Sequence, residues 1–169
     1  MLVGLMTDTH DRLPAIAELV KRMQGAGVGF LLHAGDFCSP FSLIPFFETN
    51  MAVGGIFGRN DGDPEGIRAK ASQGMGVELY ESPHSFEISG KRILLVHDLG
   101  DVNERSIEEH ALVVHGCSHQ RDIRTRGKVT IVNPGEACGW LTGKPSAAIV
   151  DLDTMKVDWL ALEGKEWAR

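Results

Sequence analysis

The chain has 169 residues, 43% of them hydrophobic, which is enough to bury the core of one α/β domain spanning residues 1–169 but would cramp a second domain. Its net charge of −6 argues against general binding to nucleic acid or to anionic membranes. Three cysteines without the spacing of a disulfide framework favour a reducing compartment. Since we find no signal-type or membrane-spanning stretch, we expect a cytoplasmic protein.

The first half of the chain reads as alternating strands and helices. Short apolar runs bounded by turn residues predict buried strands, and the amphipathic segments between them predict helices. The predicted strands cover residues 2–6, 28–33 and 51–57, and the predicted helices cover residues 13–25, 39–47 and 64–73. This strand–helix–strand order implies right-handed crossovers and parallel strands.

The second half of the chain is richer in strands. Alternating patterns and short apolar runs predict strands over residues 77–80, 85–88, 92–96, 112–115, 122–125, 129–132, 147–152 and 157–162. A hairpin turn is expected at residues 89–91, and a polar helix over residues 102–109. We therefore expect one α/β domain that is helix-rich in its first half and antiparallel in its second.

The pair Asp8 and His10 directly follows the first predicted strand. Alternation along an extended chain puts positions 8 and 10 on the same side, so both side chains can reach one metal ion. A carboxylate and a neutral imidazole together suit a divalent metal such as Mn, Fe or Zn. The alternative is a polar strand-to-helix turn in which Asp11 caps the next helix.

Similar polar groups follow four later apolar runs. These endings are Asp36, the loop of residues 58–61, His97, and the pair Cys117 and His119. Ligands of open α/β sheets bind outside the carboxyl ends of the strands. Five such endings in one chain favour a metal site over a set of unrelated caps.

The order of these motifs resembles the calcineurin-like metallophosphoesterase superfamily. The matching order is Asp-x-His, Gly-Asp, Gly-x-x-Asp, His, Gly-x-x-His and Asn-Pro-Gly. The short chain and its Val132–Gly135 segment look like the family's small bacterial and archaeal phosphodiesterase branch. The resemblance covers residues 2 to 152 and implies a four-layer α/β/β/α sandwich of two mixed sheets flanked by helices.

The resemblance also implies two metal ions that share the carboxylate of Asp36. The ligands of the first metal would be Asp8, His10, Asp36 and His119. The second metal would take Asp36 and His97, together with two family positions that are Arg59 and Cys117 in this chain. The first set of ligands is complete, whereas the second set is altered.

The altered positions leave several roles open. Arg59 offers only hydrogen-bond donors and cannot bind a metal, so it either points to solvent or fills the second-metal region and holds phosphate. Cys117 is a thiolate ligand for Zn or Fe, or else a buried thiol facing an abandoned site. Asn60 supplies a carbonyl to a metal or contacts phosphate, and Asp98 adds a ligand or orients His97.

The function implied by the resemblance is metal-dependent hydrolysis of a phosphodiester or small phosphomonoester by metal-activated water. Asp36, Asn60 and Arg59 are the expected catalytic residues, and Mn is the expected metal, with Fe, Zn or Ni as alternatives. The expected partner is a small phosphorylated substrate, without nucleic acid or membrane, and a homo-oligomer is left open. The alternative function is a catalytically weakened phosphate- or nucleotide-binding protein that keeps one metal site. Glu136 is either a substrate contact or a turn residue.

Overall fold

A computed structural model describes residues 1–74 and 76–167. Within this part of the chain, the strands form one six-stranded and one five-stranded sheet. The first sheet has the order β11-β10-β1-β2-β3-β4 and the second has the order β5-β6-β7-β9-β8, with the bounds given in the next two paragraphs.

The first sheet combines the beginning and the end of the chain. Its strands are β1 (Leu2–Met6), β2 (Phe30–His33), β3 (Ala52–Ile56), β4 (Val77–Tyr80), β10 (Ser146–Asp151) and β11 (Lys156–Ala161). Strands β1 to β4 are mutually parallel, and β10 and β11 extend the sheet in antiparallel fashion. Three helices connect the parallel strands: α1 (Leu13–Gly25), α2 (Ile44–Phe47) and α3 (Pro64–Ala71).

The second sheet is formed by the middle of the chain. Its strands are β5 (His84–Ile88), β6 (Lys91–Leu95), β7 (Leu112–Val114), β8 (Arg121–Arg126) and β9 (Val129–Pro134), and a short helix, α4 (Glu104–Glu108), precedes β7. Strands β6, β7 and β9 are parallel to one another, and only the edge strands β5 and β8 are antiparallel to their neighbours. The expectation of an antiparallel second half is therefore wrong at the centre of this sheet.

Side-chain alternation along the strands separates three apolar layers. Val3 and Leu5 of β1 pack between the two sheets, whereas Met6 packs with the helices on the opposite face of the first sheet. In β6, Ile93 and Leu95 face the first sheet, while Leu94 faces the layer that includes α4. Helices thus cover the outer face of each sheet, which confirms the four-layer sandwich.

The loops that carry polar residues all follow the carboxyl ends of parallel strands. Backbone hydrogen bonds fasten these loops to one another, because the amide of Asp8 donates to Gly35 and the amides of Thr9 and His10 donate to Asp36. The cap considered as the alternative is not formed: Arg12 precedes α1, and Asp11 accepts from the hydroxyls of Ser39 and Ser42.

No helix within residues 1–74 and 76–167 is both long enough and apolar enough to cross a membrane.

Candidate metal centre

Four side chains from three loops converge at the carboxyl end of the first sheet. They are Asp8 and His10 after β1, Asp36 after β2, and His119 after β7, and one potential ligand atom from each lies within 4.8 Å of all the others. The Nε2 atom of His10 is 3.8 Å from Asp8 Oδ1 and 3.5 Å from Asp36 Oδ2. The Nε2 atom of His119 is 3.6 Å from Asp8 Oδ1. The structure brings the expected first-metal ligands together, and their binding of a metal stays a prediction.

The same four residues share an unusual backbone conformation. Their φ angles are 51° for Asp8, 38° for His10, 63° for Asp36 and 60° for His119. Residues other than glycine seldom adopt this left-handed region, because it brings Cβ too close to the backbone. Strain of this kind concentrates at functional sites, where the surrounding structure holds it in place.

Asp8 is fully buried and both of its carboxylate oxygens lack a hydrogen-bond partner among the described residues. Burial raises the pKa of Asp8 by disfavouring the charged form, and the nearby His119 and His97 offset part of this rise. A buried carboxylate without donors is costly unless a cation accompanies it. The environment of Asp8 therefore fits a metal ligand.

The two imidazoles of the cluster are held by their Nδ1 atoms. His119 Nδ1 donates to Glu136 Oε2 over 2.9 Å, and His10 Nδ1 lies 3.0 Å from the thiol sulfur of Cys38. The two rings stack with centroids 5.1 Å apart. With Nδ1 engaged in this way, Nε2 of each ring faces the cluster, as is usual for metal-binding histidines.

Glu136 is a buried acceptor, and neither role considered for it from the sequence describes its position. Besides His119, its carboxylate accepts from the backbone amides of Leu141 and Thr142 and from the thiol of Cys138. Burial opposes ionisation, but these donors, His119 first, lower the pKa of Glu136 to about 2. One sequence signal could have revealed that Glu136 is a buried acceptor. Glu136 is a charged residue within the otherwise small or apolar stretch 134–139, so its carboxylate needs a buried partner.

Asp36 is also held by several donors. The backbone amide of Asn60 donates to Asp36 Oδ1 over 2.8 Å, and the side-chain amide of Asn60 donates to Oδ2 over 2.7 Å. Although burial opposes ionisation, the adjacent imidazole of His97 and the hydrogen bonds from Asn60 hold the pKa of Asp36 well below its usual range. Asn60 therefore fixes the orientation of Asp36 and presents its amide nitrogen, not its carbonyl, to the cluster.

His97 lies beside Asp36, with its Nε2 atom 3.4 Å from Asp36 Oδ1. Its Nδ1 donates to the carbonyl of Ala34 over 2.8 Å, so Ala34 orients the ring and Asp98 does not. Within the described chain, the Nε2 atom of His97 is buried and has no hydrogen-bond partner. Burial would lower the pKa of His97, but the contacts with Asp36 and Ala34 raise it to about 9.

Arg59 is anchored at the edge of the centre and 56% of its side chain is exposed. Its Nη2 atom is 2.9 Å from Asp98 Oδ2 and 3.4 Å from Asp101 Oδ1. Asp98 follows His97 directly in the chain and also contacts Cys117, whose sulfur is 3.9 Å from Asp98 Oδ2. A guanidinium–carboxylate pair thus stands beside the residues expected to bind a second metal.

Cys117 is partly buried and its thiol faces Asp98. Burial, together with the negative charge of Asp98, raises the pKa of Cys117, and Arg59 offsets only part of this rise. A raised pKa disfavours the thiolate, which is the form of cysteine that binds metals.

The donor set fits one divalent metal better than two. The atoms that are both buried and unpartnered across the described residues include Asp8 Oδ1, Asp8 Oδ2, His10 Nε2 and His97 Nε2. Three of these four atoms belong to the four-residue cluster. His119, Glu136 and Cys138 also lie close together, but their hydrogen bonds to one another already satisfy them.

Comparison with known proteins points to one family. A sequence model of the calcineurin-like phosphoesterase superfamily domain matches residues 1–155. The chain is 29% identical over 170 residues to a phosphodiesterase of Methanocaldococcus jannaschii, with 96% of this chain and 100% of the relative covered. It is also 29% identical over 170 residues to a probable metallophosphoesterase of Methanothermobacter thermautotrophicus, with 94% and 90% covered.

A solved structure of an archaeal phosphodiesterase is similar over the same extent. The two structures agree with a TM-score of 0.88 at 29% sequence identity, and the match covers 96% of this chain and 100% of the other.

Proposed function

Because this chain belongs to the calcineurin-like phosphoesterase superfamily, we propose that it hydrolyses phosphodiesters or small phosphomonoesters with the help of a divalent metal. The observation that carries the proposal is Asp8, a buried carboxylate that faces two imidazoles and finds no hydrogen-bond donor among the described residues. The names of the phosphodiesterase relatives support diesters as the first substrates to test.

The residues that would hold the metal are Asp8, His10, Asp36 and His119. Their mixture of carboxylate and imidazole suits Mn, which we propose, and also Fe, Zn or Ni. When bound, such an ion supplies a Lewis acid that lowers the pKa of water and neutralises charge on phosphate oxygens.

Neighbouring residues keep this ligand set in place before any substrate arrives. Asn60 holds both oxygens of Asp36, and Glu136 holds His119 through Nδ1. Ligands fixed in this way lose little freedom on binding, which strengthens both metal affinity and the alignment of the substrate. We assign Asn60 this positioning role toward Asp36.

At the second site, Arg59 stands in for a metal in our proposal. Like charges repel one another, and a divalent ion is repelled by a guanidinium more strongly than a monovalent ion would be. Arg59 therefore disfavours a second metal near Asp98 and Cys117. Its guanidinium can hold two phosphate oxygens at once and so neutralise part of their charge.

A second candidate function follows from the same two residues. Arg59 and Cys117 occupy second-site positions, and the Cys117 thiol has a raised pKa. A protein that lost the second metal without compensation would bind a phosphate or a nucleotide at the first metal and turn it over slowly. Binding with little metal-dependent hydrolysis would favour this candidate.

The remaining expectations concern partners and location. The proposed partner is a small phosphorylated molecule, since the net charge of −6 disfavours nucleic acid and anionic membranes. The three cysteines, all free, suit a reducing compartment, and we propose the cytoplasm. Light scattering of the purified chain would test for a homo-oligomer.

The experiment that tests the proposal is hydrolysis of bis(4-nitrophenyl) phosphate with and without Mn. We expect activity that depends on added metal and falls about 100-fold or more in Asp36→Asn, which loses the charge of a central ligand. Asp158→Asn is the matched control, because Asp158 is an exposed residue that pairs with Lys156 on β11. Activity that survives both metal removal and Asp36→Asn would refute the proposal.

A further inference from the structure

Arg12, which directly precedes α1, joins three parts of the chain beside the metal centre. It lies two residues after His10, in the loop that follows β1. Its guanidinium donates to the carbonyl of Cys138 over 2.6 Å and to the carbonyl of Trp167 over 3.2 Å. One side chain therefore connects the loop after β1 to the loop between β9 and β10, which we call the β9–β10 loop, and to segment 162–167.

Two tryptophan rings also contact the guanidinium of Arg12. Its central carbon lies 4.5 Å from the ring centre of Trp140 and 5.8 Å from that of Trp167. A cation over an indole face is attracted to it, and the planar guanidinium can stack on a ring while its edge donates to carbonyl groups. These contacts hold the partly buried Arg12 side chain in one position.

Trp140 links this arrangement directly to a member of the four-residue cluster. Its Nε1 atom donates to the carbonyl of His10 over 3.2 Å. The φ angle of His10 is 38°, a conformation that a residue with a side chain keeps only when its surroundings hold it. Because Arg12 fixes the indole that makes this hydrogen bond, it also supports the backbone of His10.

Cys138 links Arg12 to the other side of the cluster. While its carbonyl accepts from Arg12, its amide donates to the carbonyl of Asp8 over 3.0 Å. Its thiol donates to Glu136 Oε2 over 3.3 Å, and the same oxygen accepts from the ring of His119. The peptide that Arg12 holds therefore contacts Asp8 directly and His119 through Glu136.

We propose that Arg12 is a positioning residue of the metal centre. It holds the β9–β10 loop against the loop after β1, and in this way it fixes His10 relative to His119. Through the same side chain, the affinity for metal depends on the packing of segment 162–167. This inference rests on the proposed function, because the metal of that reaction binds at the cluster which Arg12 supports.

Arg22 offers a matched control on α1. It pairs with Glu18 over 2.9 Å and donates to the carbonyl of Ala161 over 3.1 Å. Like Arg12, it connects the beginning of the chain to its last strand or the segment beyond, but these partners belong to α1 and β11 and not to the loops of the metal centre. A loss of general attachment would appear in variants of both arginines, whereas a loss of positioning would appear only in variants of Arg12.

The first test is titration of the metal-free protein with Mn, alongside urea unfolding. We expect Arg12→Ala to weaken Mn binding about tenfold or more. Arg12→Lys should weaken it less, because an ammonium group can bond one carbonyl but does not reproduce the planar fork that bonds two. Arg22→Ala should keep the wild-type affinity within about twofold, even if its stability to urea falls.

Trp140→Phe tests the contact with His10 by a milder change. Phenylalanine keeps a ring for Arg12 but removes the donor to the His10 carbonyl, so we expect Mn binding to weaken about three- to tenfold. A purely structural Arg12 would change the stability and leave the affinity alone. Equal Mn affinities of Arg12→Ala, Trp140→Phe and Arg22→Ala would therefore overturn the proposal.

A measurement without metal separates this inference from the proposed function. Hydrogen exchange of the metal-free protein, followed by NMR, reports on the Cys138 amide that bonds to Asp8. We expect this amide to exchange about tenfold faster in Arg12→Ala but not in Arg22→Ala, while the amides of β6 keep their rates. This result would support the positioning role even if the wild type bound no Mn and the proposed function failed. Unchanged exchange of the Cys138 amide would overturn the role of Arg12.

Discussion

Glu136 illustrates how single residues outside the ligand set shape the centre. Its carboxylate holds His119 Nδ1 and is itself held by the backbone amides of Leu141 and Thr142. Glu136 fixes the orientation of the His119 ring, so that Nε2 faces the cluster of four residues.

We predict that Glu136→Gln weakens Mn binding by about 10- to 100-fold, since the amide can still accept from His119 but carries no charge. Isothermal titration of the metal-free protein with Mn measures this change. Glu108→Gln, a substitution of an exposed glutamate on α4, is the control. Equal affinities of Glu136→Gln and wild type would show that Glu136 serves only to fold its loop.

We predict that the two metal regions differ in occupancy. Asp8→Asn should lose more bound metal than His97→Ala, because Asp8 belongs to the cluster of four and His97 lies next to the altered positions Arg59 and Cys117. Elemental analysis of both variants after dialysis against Mn measures the difference. The reverse order would contradict our assignment of the filled site.

Among the strands, the sequence predicts which segments become strands better than it predicts which strands pair with each other in a sheet. Runs such as Leu2–Met6 are apolar and end at turn residues, so their assignment as strands follows from the residues of the run itself. The parallel pairing of β7 with β9 was not predicted, because β8 folds back between them in the chain and its place at the sheet edge is a tertiary property. The five strand endings still indicated the site, since loops after parallel strands share one edge.

His33, the last residue of β2, links this strand to the site loops. It is fully buried, accepts from the amide of Gly35 through Nδ1, and lies 3.2 Å from the hydroxyl of Thr9 through Nε2. Thr9 in turn donates to the carbonyl of Asp36. His33 must be neutral in this arrangement, and burial lowers its pKa from 6.5 to about 3.

We predict that this histidine makes stability fall as the pH decreases. Between pH 6.5 and about 3, only the unfolded chain takes up a proton on residue 33, so its contribution is complete above pH 6.5 and is lost toward pH 3. The loss is about 1.4 kcal/mol for each pH unit. Urea unfolding of wild type and His33→Gln at several pH values measures it. We expect a shallower dependence in the variant, and identical slopes would refute the prediction.

The loop between β7 and β8 depends on a residue without a side chain. A Cβ atom on Gly116 would overlap the hydroxyl of Thr7 and approach Asp8 Oδ2. We predict that Gly116→Ala destabilises the fold by about 1–3 kcal/mol and lowers metal affinity, because the loop must move away from Asp8. Gly29→Ala is the control, since the space around Gly29 is open. Urea unfolding and Mn titration measure both effects, and a variant as stable as the control would contradict this packing.

Across the whole molecule, the order of motifs predicted the family and the four side chains that come together at the cluster, but not the contacts of the altered positions. The family pattern is carried by residues spread from Asp8 to Gly135, and each keeps its place relative to the strands. Arg59 contacts Asp98 and Asp101 across two loops whose proximity cannot be predicted from a sequence pattern, so only the folded structure reveals these contacts. His115 belongs to the predicted strand over residues 112–115, but in the structure it lies just beyond β7.

We propose that this chain holds one metal at the four-residue cluster while Arg59 takes the place of the second. Calorimetric counting of Mn bound per chain, in wild type and in the double variant Arg59→Asn with Cys117→His, tests this proposal. We expect about one Mn in the wild type and a value approaching two in the variant, with higher Mn-dependent turnover of bis(4-nitrophenyl) phosphate, because a donor-only cation and a protonated thiol are replaced by metal ligands. Two Mn ions per wild-type chain with ordinary activity would contradict the claim.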